Sequence, residues 1–312
     1  MIKMANITAA QVKELRERTG LPMMECKKAL VESEGNVDEA IKILREKGML
    51  KGKGKESRIA ADGLVDIMTK GNVTVMVEVN SETDFVAKND SFKAFVKGIL
   101  ETIHTCKPAN VDELFACKFA DTDLTVEEKQ NEMRFTIGEK ISIRRFAVVE
   151  GTVSTYIHGN GGIGVVVVFD TDAATAAKEE FAAFAKNIAL QVAAYNVYYV
   201  NRESVPAKVI EEETAILMAQ IQGDPANAKK PANIIEKMAT GRLGKFYEAN
   251  CLYDQEYFKD DDLNVSQYIA KTAKELGADI AVTAFFRFEK GEGIEKREDD
   301  LAAEVAKLTG QG

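Results

Sequence analysis

The chain has 312 residues, 29% of them charged and 46% hydrophobic, and a net charge of −9. That length accommodates two or more domains with a sizeable core, and the acidic balance argues against broad phosphate-backbone binding, so no direct nucleic-acid partner is expected. Four Cys, at 26, 106, 117 and 251, have no C-x-x-C spacing and only His104 and His158 for company, so neither a metal site nor a cofactor is expected. Reduced thiols, the lack of a basic-then-apolar leader and the lack of any membrane-length apolar run together read as a cytoplasmic protein with no membrane partner. Met1 and Met4 are both possible starts.

Thr8 is placed to cap a helix with Val12 and Leu15 on one face, stopped by Gly20. Pro22 opens a second helix with Met23, Cys26, Ala29 and Leu30 inward, and Gly35-Asn36 breaks it. Val37, Ala40, Ile41 and Leu44 line a third, which ends at Gly48. Short amphipathic helices with tight turns predict a three-helix bundle over residues 1–48. Met23 and Met24 are neighbours, so only one can face fully inward. The other is an adaptable contact residue, unless both are half-buried. Residues 49–56 are rich in Gly and Lys, lack apolar periodicity and read as a flexible linker.

The pattern of residues 61–103 recurs over residues 150–190, at an offset of about 89 residues. Each copy reads strand, turn, strand, helix. Phe92, Phe95, Val96, Ile99 and Leu100 line the first helix, and Phe181 and Phe184 match the two Phe in the second. A hairpin with a helix across one face predicts a duplicated antiparallel sheet-plus-helix core of α+β class, with subdomains over residues 57–149 and 150–205. Helices near residues 111–117 and 125–137 and a strand over 141–149 lie between the copies. Gly159-Asn160-Gly161-Gly162-Ile163-Gly164 spells a dinucleotide fingerprint, but a β-run follows where a helix is required, so it reads as a hairpin turn. His158 beside it has no nucleophile or carboxylate cluster in sequence and reads as a surface residue.

One connection stands apart. Between the second strand and the helix of the first copy lies Thr83-Asp84-Phe85-Val86, with a large aromatic among polar neighbours. Residue type favours Phe85 packing back on its own sheet. Against that, the second copy carries no aromatic in Thr171-Asp172-Ala173-Ala174-Thr175-Ala176. A ring that inserts into a partner stands beside the core reading.

Pro206 begins a helix with Val209, Ile210, Ile216, Leu217 and Ile221, stopped at Gly223-Asp224-Pro225; a second follows Pro231 with Ile234, Ile235, Met238 and Leu243. This predicts a helical-hairpin arm over residues 206–248 that projects from the core, or else two ordinary core helices. The second subdomain resumes over residues 249–290 with an acidic connection at 259–262, a helix near 266–276 and a strand over 279–289. Residues 291–312 read as a C-terminal module, with an amphipathic helix expected through Leu301, Val305 and Leu308. No Ser/His/Asp set, metal cluster or phosphate loop supports an enzyme.

Five collinear blocks carry a family likeness: residues 14–20, 23–30, 83–88, 137–145 and 287–296. They resemble the elongation factor Ts family of bacteria. The resemblance implies an N-terminal bundle similar to ubiquitin-associated domains, a two-part core, an arm and a C-terminal helical module. It implies nucleotide exchange on the GDP-bound form of elongation factor Tu, with no bond-making. By this likeness Thr83, Asp84, Phe85 and Val86 dislocate the partner's magnesium, Asp84 and Phe85 pushing between helices of its nucleotide domain. Arg16, Met23, Met24 and His158 match further partner contacts. Residues 194–200 lack the family's usual Pro. The rival reading is a ubiquitin-like-binding adaptor or scaffold built on the bundle.

Overall fold

A reciprocal cap starts the first helix: the Gln11 N–H donates to Thr8 Oγ1 at 3.3 Å, and the Thr8 N–H donates to Gln11 Oε1 at 3.0 Å. The computed structural model describes residues 7–19, 21–53, 58–227 and 230–295 and shows a mixed α+β chain. Helices α1 (Ala9–Thr19), α2 (Met23–Glu32) and α3 (Val37–Lys53) bury Val12, Leu15, Cys26, Ala29, Leu30, Ala40 and Leu44 against one another. The expected stop at Gly20 and the C-terminal helix through Leu301 lie outside the described residues.

One boundary differs. α3 passes Gly48 and runs to Lys53, into the stretch read as a tether. A single Gly costs a helix interior about 1 kcal/mol, too little to stop a helix that gains a hydrogen bond with each added residue.

Then follow β1 (Asp62–Lys70), β2 (Val73–Ser81), α4 (Asp84–Lys88), α5 (Asp90–Cys106), α6 (Val111–Ala116), α7 (Val126–Ile137) and β3 (Ile141–Glu150). After these come β4 (Thr152–His158), β5 (Ile163–Asp170), α8 (Ala173–Ala176), α9 (Glu179–Ala194), α10 (Ala207–Gly223) and α11 (Ala232–Asn250). β6 (Glu256–Tyr257), β7 (Asp260–Asn264), α12 (Val265–Leu276) and β8 (Ala281–Glu289) complete the described chain. Beside a separate two-stranded sheet of β6 and β7, two three-stranded antiparallel sheets result, ordered β1-β2-β3 and β4-β5-β8. Their ladders bulge at matching points, between Glu78 and Val79 in one and between Val168 and Phe169 in the other. The acidic stretch expected as a connection is strand β7, paired with β6. It has no apolar alternation from which a strand could be read.

Each sheet packs a helix on one face. Phe92, Phe95, Val96, Ile99 and Leu100 of α5 meet Val75, Val77 and Val79; Phe181, Phe184 and Ile188 of α9 meet Val165, Val167 and Phe169. The opposite faces pack on each other through Val65, Met76, Val149, Val166, Phe286 and Phe288. β2 is therefore buried along its whole length, the pattern of a strand covered on both faces. The bundle rests on α7, whose Phe135 joins the bundle core. α10 and α11 form a hairpin with its own small cluster of Leu217, Ile221, Ile235 and Ala239.

The strand so buried carries a carboxylate. Glu78 is fully buried and accepts four bonds: Arg144 Nη1 at 3.0 Å, Arg145 Nε at 2.6 Å, Asn80 Nδ2 at 3.0 Å and the Gly291 N–H at 2.8 Å. Arg145 continues to Glu292 at 3.0 Å and lies 4.3 Å over the Phe288 ring. The turn after β8 is thereby clamped to the first sheet. Gly291 is required there: its φ is +69° and a Cβ would stand 2.0 Å from Ala61 O. Burial pushes the Glu78 carboxyl up, but the Gly291 N–H and the Asn80, Arg145 and Arg144 side chains outweigh it, so its pKa lies below the ordinary 4.5.

Glu78→Gln is expected to destabilise the chain by about 3 kcal/mol near neutral pH, in thermal or denaturant unfolding. A depressed folded pKa means that the carboxylate's contribution is complete above the unfolded value of 4.5 and is lost as pH falls through the lower folded value. The gap between parent and variant therefore narrows in acid below 4.5; a gap that is constant across that range contradicts the assignment.

Candidate functional site

β2 leaves its sheet at Ser81, and the chain must turn before α5 begins. Ser81 Oγ donates to Thr83 O at 2.9 Å and tightens the turn. α4 has five residues, too few to hold a helix by propensity, so tertiary contacts hold it. Val86 is buried in the first core. Phe85, one residue earlier and about 100° round the helix, faces away and is 78% exposed. The Thr83 N–H and Oγ1 both donate to Glu139, at 3.0 and 2.8 Å. Asn89 then caps α5, its Oδ1 accepting from the Ser91 N–H at 2.8 Å.

The ring has a charged companion. Lys88 Nζ lies 2.6 Å from Asp84 Oδ2 and 5.6 Å from the Phe85 ring centroid. The hydrogen bond from Lys88, with the charges of Lys88 and Lys290, holds the Asp84 carboxyl below its ordinary 3.8 despite some opposing desolvation. Asp84 is an anion through the physiological range, paired with a neighbour one helical turn away.

Beside α4 runs a groove of about 520 Å³, lined by Asp84, Lys88, Lys93, Lys97, Lys290 and the turn between β4 and β5. That turn is the glycine run. Gly161 has a φ of +92°, and a Cβ there would stand 2.8 Å from Leu64 Cβ. Its carbonyl accepts from the Val65 N–H at 2.8 Å. The glycines serve close approach between the two halves of the core.

His158 ends β4, exposed, with Nδ1 3.0 Å from the Tyr156 hydroxyl. Arg16 is exposed on α1, and Met23 and Met24 are 50% and 62% exposed on α2. Val86 is 6% exposed and anchors α4 in the first core. One packing expectation is corrected. Met23 does not face inward, because it opens α2 and a first-turn side chain points back past the helix end. Sequence reasoning missed Glu139; its only signal was its place in the family-like block at 137–145. Among the described residues no group of three or more His, Cys, Asp or Glu could hold a metal. The site can push and pair charge, but it presents no bond-making constellation.

Residues 82–292 match the family model described as Elongation factor TS. The chain is 44% identical over 306 residues to the Elongation factor Ts of Syntrophotalea carbinolica, covering 97% of this chain and 99% of that one. With the Elongation factor Ts of Clostridioides difficile the identity is 49% over 312 residues, and with that of Trichlorobacter lovleyi it is 44% over 311, at 97% and 99% coverage in both cases.

The opposed exposures of two adjacent residues set a stability test. Phe85→Ala is expected to change unfolding stability by less than about 0.5 kcal/mol, whereas Val86→Ala costs about 2 kcal/mol. Thermal unfolding that ranks them the other way would place the wrong side chain in the core.

Proposed function

The chain belongs to the elongation factor Ts family, and from that premise we propose that Phe85, with Asp84 beside it, is the wedge that loosens nucleotide in the GDP-bound form of its partner. As a member of the family the chain is a guanine-nucleotide exchange factor for elongation factor Tu in translation elongation, not an enzyme that makes or breaks bonds. The observation that carries the wedge reading is the 78% exposure of Phe85 on a helix whose other side is anchored.

The energetics are those of a release barrier. Each tenfold acceleration removes about 1.4 kcal/mol from it. Burying one Phe in a partner supplies roughly 1.5–3 kcal/mol before costs, enough for about a hundredfold at most. A larger effect needs a broad interface, for which Arg16, Met23, Met24 and His158 are the surface residues. The partner's magnesium neutralises phosphate charge in a low-dielectric site, so displacing the groups around it weakens nucleotide binding. Phe85 moves the partner's helices and the Asp84 anion disturbs the hydrogen bonds around the metal. Linkage makes this reciprocal: if the chain weakens nucleotide, nucleotide weakens the chain's hold by the same factor.

The division of labour belongs to the same reading: a bundle similar to ubiquitin-associated domains over residues 1–48, a linker, two core halves over 57–149 and 150–290 interrupted by an arm at 206–248, and a C-terminal module from 291. Phe135 within the bundle's core favours a bundle acting with the body over an adaptor in which it works alone. Among the described residues no helix is long and apolar enough to cross a membrane, and we place the chain in the cytoplasm.

Phe85→Ala is expected to slow chain-stimulated release of fluorescent GDP from bacterial elongation factor Tu by about ten- to a hundredfold. Parental rates in that variant remove Phe85 from the mechanism.

A further inference from the structure

The two halves of the core differ in how they hold the short helix after the hairpin. Their registers align them: Asn80 faces Ser142 in one sheet as Asp170 faces Ala281 in the other. Glu82 and Thr83 thus correspond to Asp172 and Ala173, and Glu139 and Lys140 to Ala278 and Asp279. In the second half the short helix caps itself. Asp172 Oδ1 accepts from the Thr175 N–H at 2.9 Å, and Oδ2 from the Thr175 hydroxyl at 2.7 Å. Between that helix and the start of β8 lies an open pocket of about 400 Å³, lined by Asp170, Thr171, Asp172, Asp279 and Ile280.

In the first half this gap is bridged. Thr83 occupies the cap position of α4, but its side chain makes no cap bond. Its N–H and hydroxyl both donate across the gap to Glu139, at 3.0 and 2.8 Å. Glu82 reaches the opposite way, accepting from the Lys140 N–H and from Arg58 Nη1 at 3.2 Å. Lys140 Nζ donates to Arg58 O at 2.8 Å. Two carboxylates exchange backbone amides between residues 82–83 and 139–140. An ordinary N-cap steadies only its own first turn. This fork ties α4 to the junction of α7 and β3, and it occurs in the half that presents an aromatic.

We propose that Glu139 is a positioning residue for exchange: its fork on Thr83 holds α4 so that Phe85 meets the partner already oriented. This rests on the wedge reading. A ring on a five-residue helix transmits force to a partner only if its mount resists being pushed aside, and ordering a loose mount on binding would consume the gain from burying the ring. Bonds to a carboxylate are roughly twice as strong as neutral ones, which suits a mount under load. Glu139 acts through Thr83 and α4, not by touching nucleotide.

The test is release of labelled GDP from elongation factor Tu against concentration of the full chain, for the parent, Glu139→Ala, Glu139→Gln, Phe85→Ala and the double variant Phe85→Ala/Glu139→Ala. Glu139→Ala should lower the maximal rate about tenfold, with the half-saturating concentration moving less than about threefold. Glu139→Gln keeps one acceptor oxygen and should recover most of the rate. The double variant should be no slower than Phe85→Ala alone, because a mount without a ring has nothing to position. Should the Ala variant not fold, Thr83→Val, which removes only the hydroxyl bond, should lower the maximal rate about threefold. A parental rate in Glu139→Ala, or in Thr83→Val where that variant stands in, with Phe85→Ala slow, overturns the positioning role alone. So does a double variant about tenfold slower than Phe85→Ala. A parental rate in Phe85→Ala overturns the wedge and its mount together.

Discussion

The buried carboxylate of Glu78 is the constraint on which the core depends. An ionised side chain with no exposed surface is costly unless it is fully paired, and Glu78 is paired by Arg144, Arg145, Asn80 and the Gly291 N–H. These donors come from β2, β3 and the turn after β8, so the charge is satisfied only when both halves of the core are assembled. Apolar packing between the sheets supplies most of the driving force. The carboxylate supplies selectivity, because a slipped register would strand it. The bulge in the β2–β3 ladder falls beside it, between Glu78 and Val79.

From that junction the functional edge follows. β2 ends at Ser81, three residues past the carboxylate, and the next turn presents α4. The β4–β5 turn docks on β1 through Gly161, and the Lys290 N–H donates to Gly162 O at 2.9 Å. The groove beside α4 therefore has one wall from each half. Exposing Phe85 forfeits the burial a Phe ordinarily gains, and the fold tolerates this because Val86 and the Glu139 fork secure the helix without it. Where the same topology has no ring to present, in the second half, α8 caps itself and nothing projects from it.

Much of this was legible in sequence. The helical face of α5, the two hairpins, the repeat and the helix pair α10–α11 all lie in local apolar periodicity, and local periodicity is what a sequence displays directly. Phe85 stands out in sequence because a large aromatic on a connection is missing from the second repeat, while residue type alone leaves packing on its own sheet open beside a partner contact. What escaped reading was long-range and polar. Glu78 meets Arg145 67 positions away and Gly291 213 positions away, and Glu139 meets Thr83 across 56; no spacing rule links such pairs. Gly48 is too weak a breaker to end α3, Met23 sits at the helix end where a face count does not apply, and β7, paired through Asp260 and Asn264, has no apolar alternation to display.

On the proposed wedge reading the action is mechanical: a fixed ring and its carboxylate would undo the partner's magnesium and phosphate contacts. The most direct measurement is the acceleration of GDP release from elongation factor Tu by the chain, compared with magnesium present and with magnesium chelated. If the chain works by disturbing the metal site, chelation by itself removes part of the barrier that the chain would lower, and the factor by which the chain accelerates release falls by about tenfold or more, equivalent to about 1.4 kcal/mol of barrier per decade. An acceleration factor that is the same with and without the metal contradicts the account.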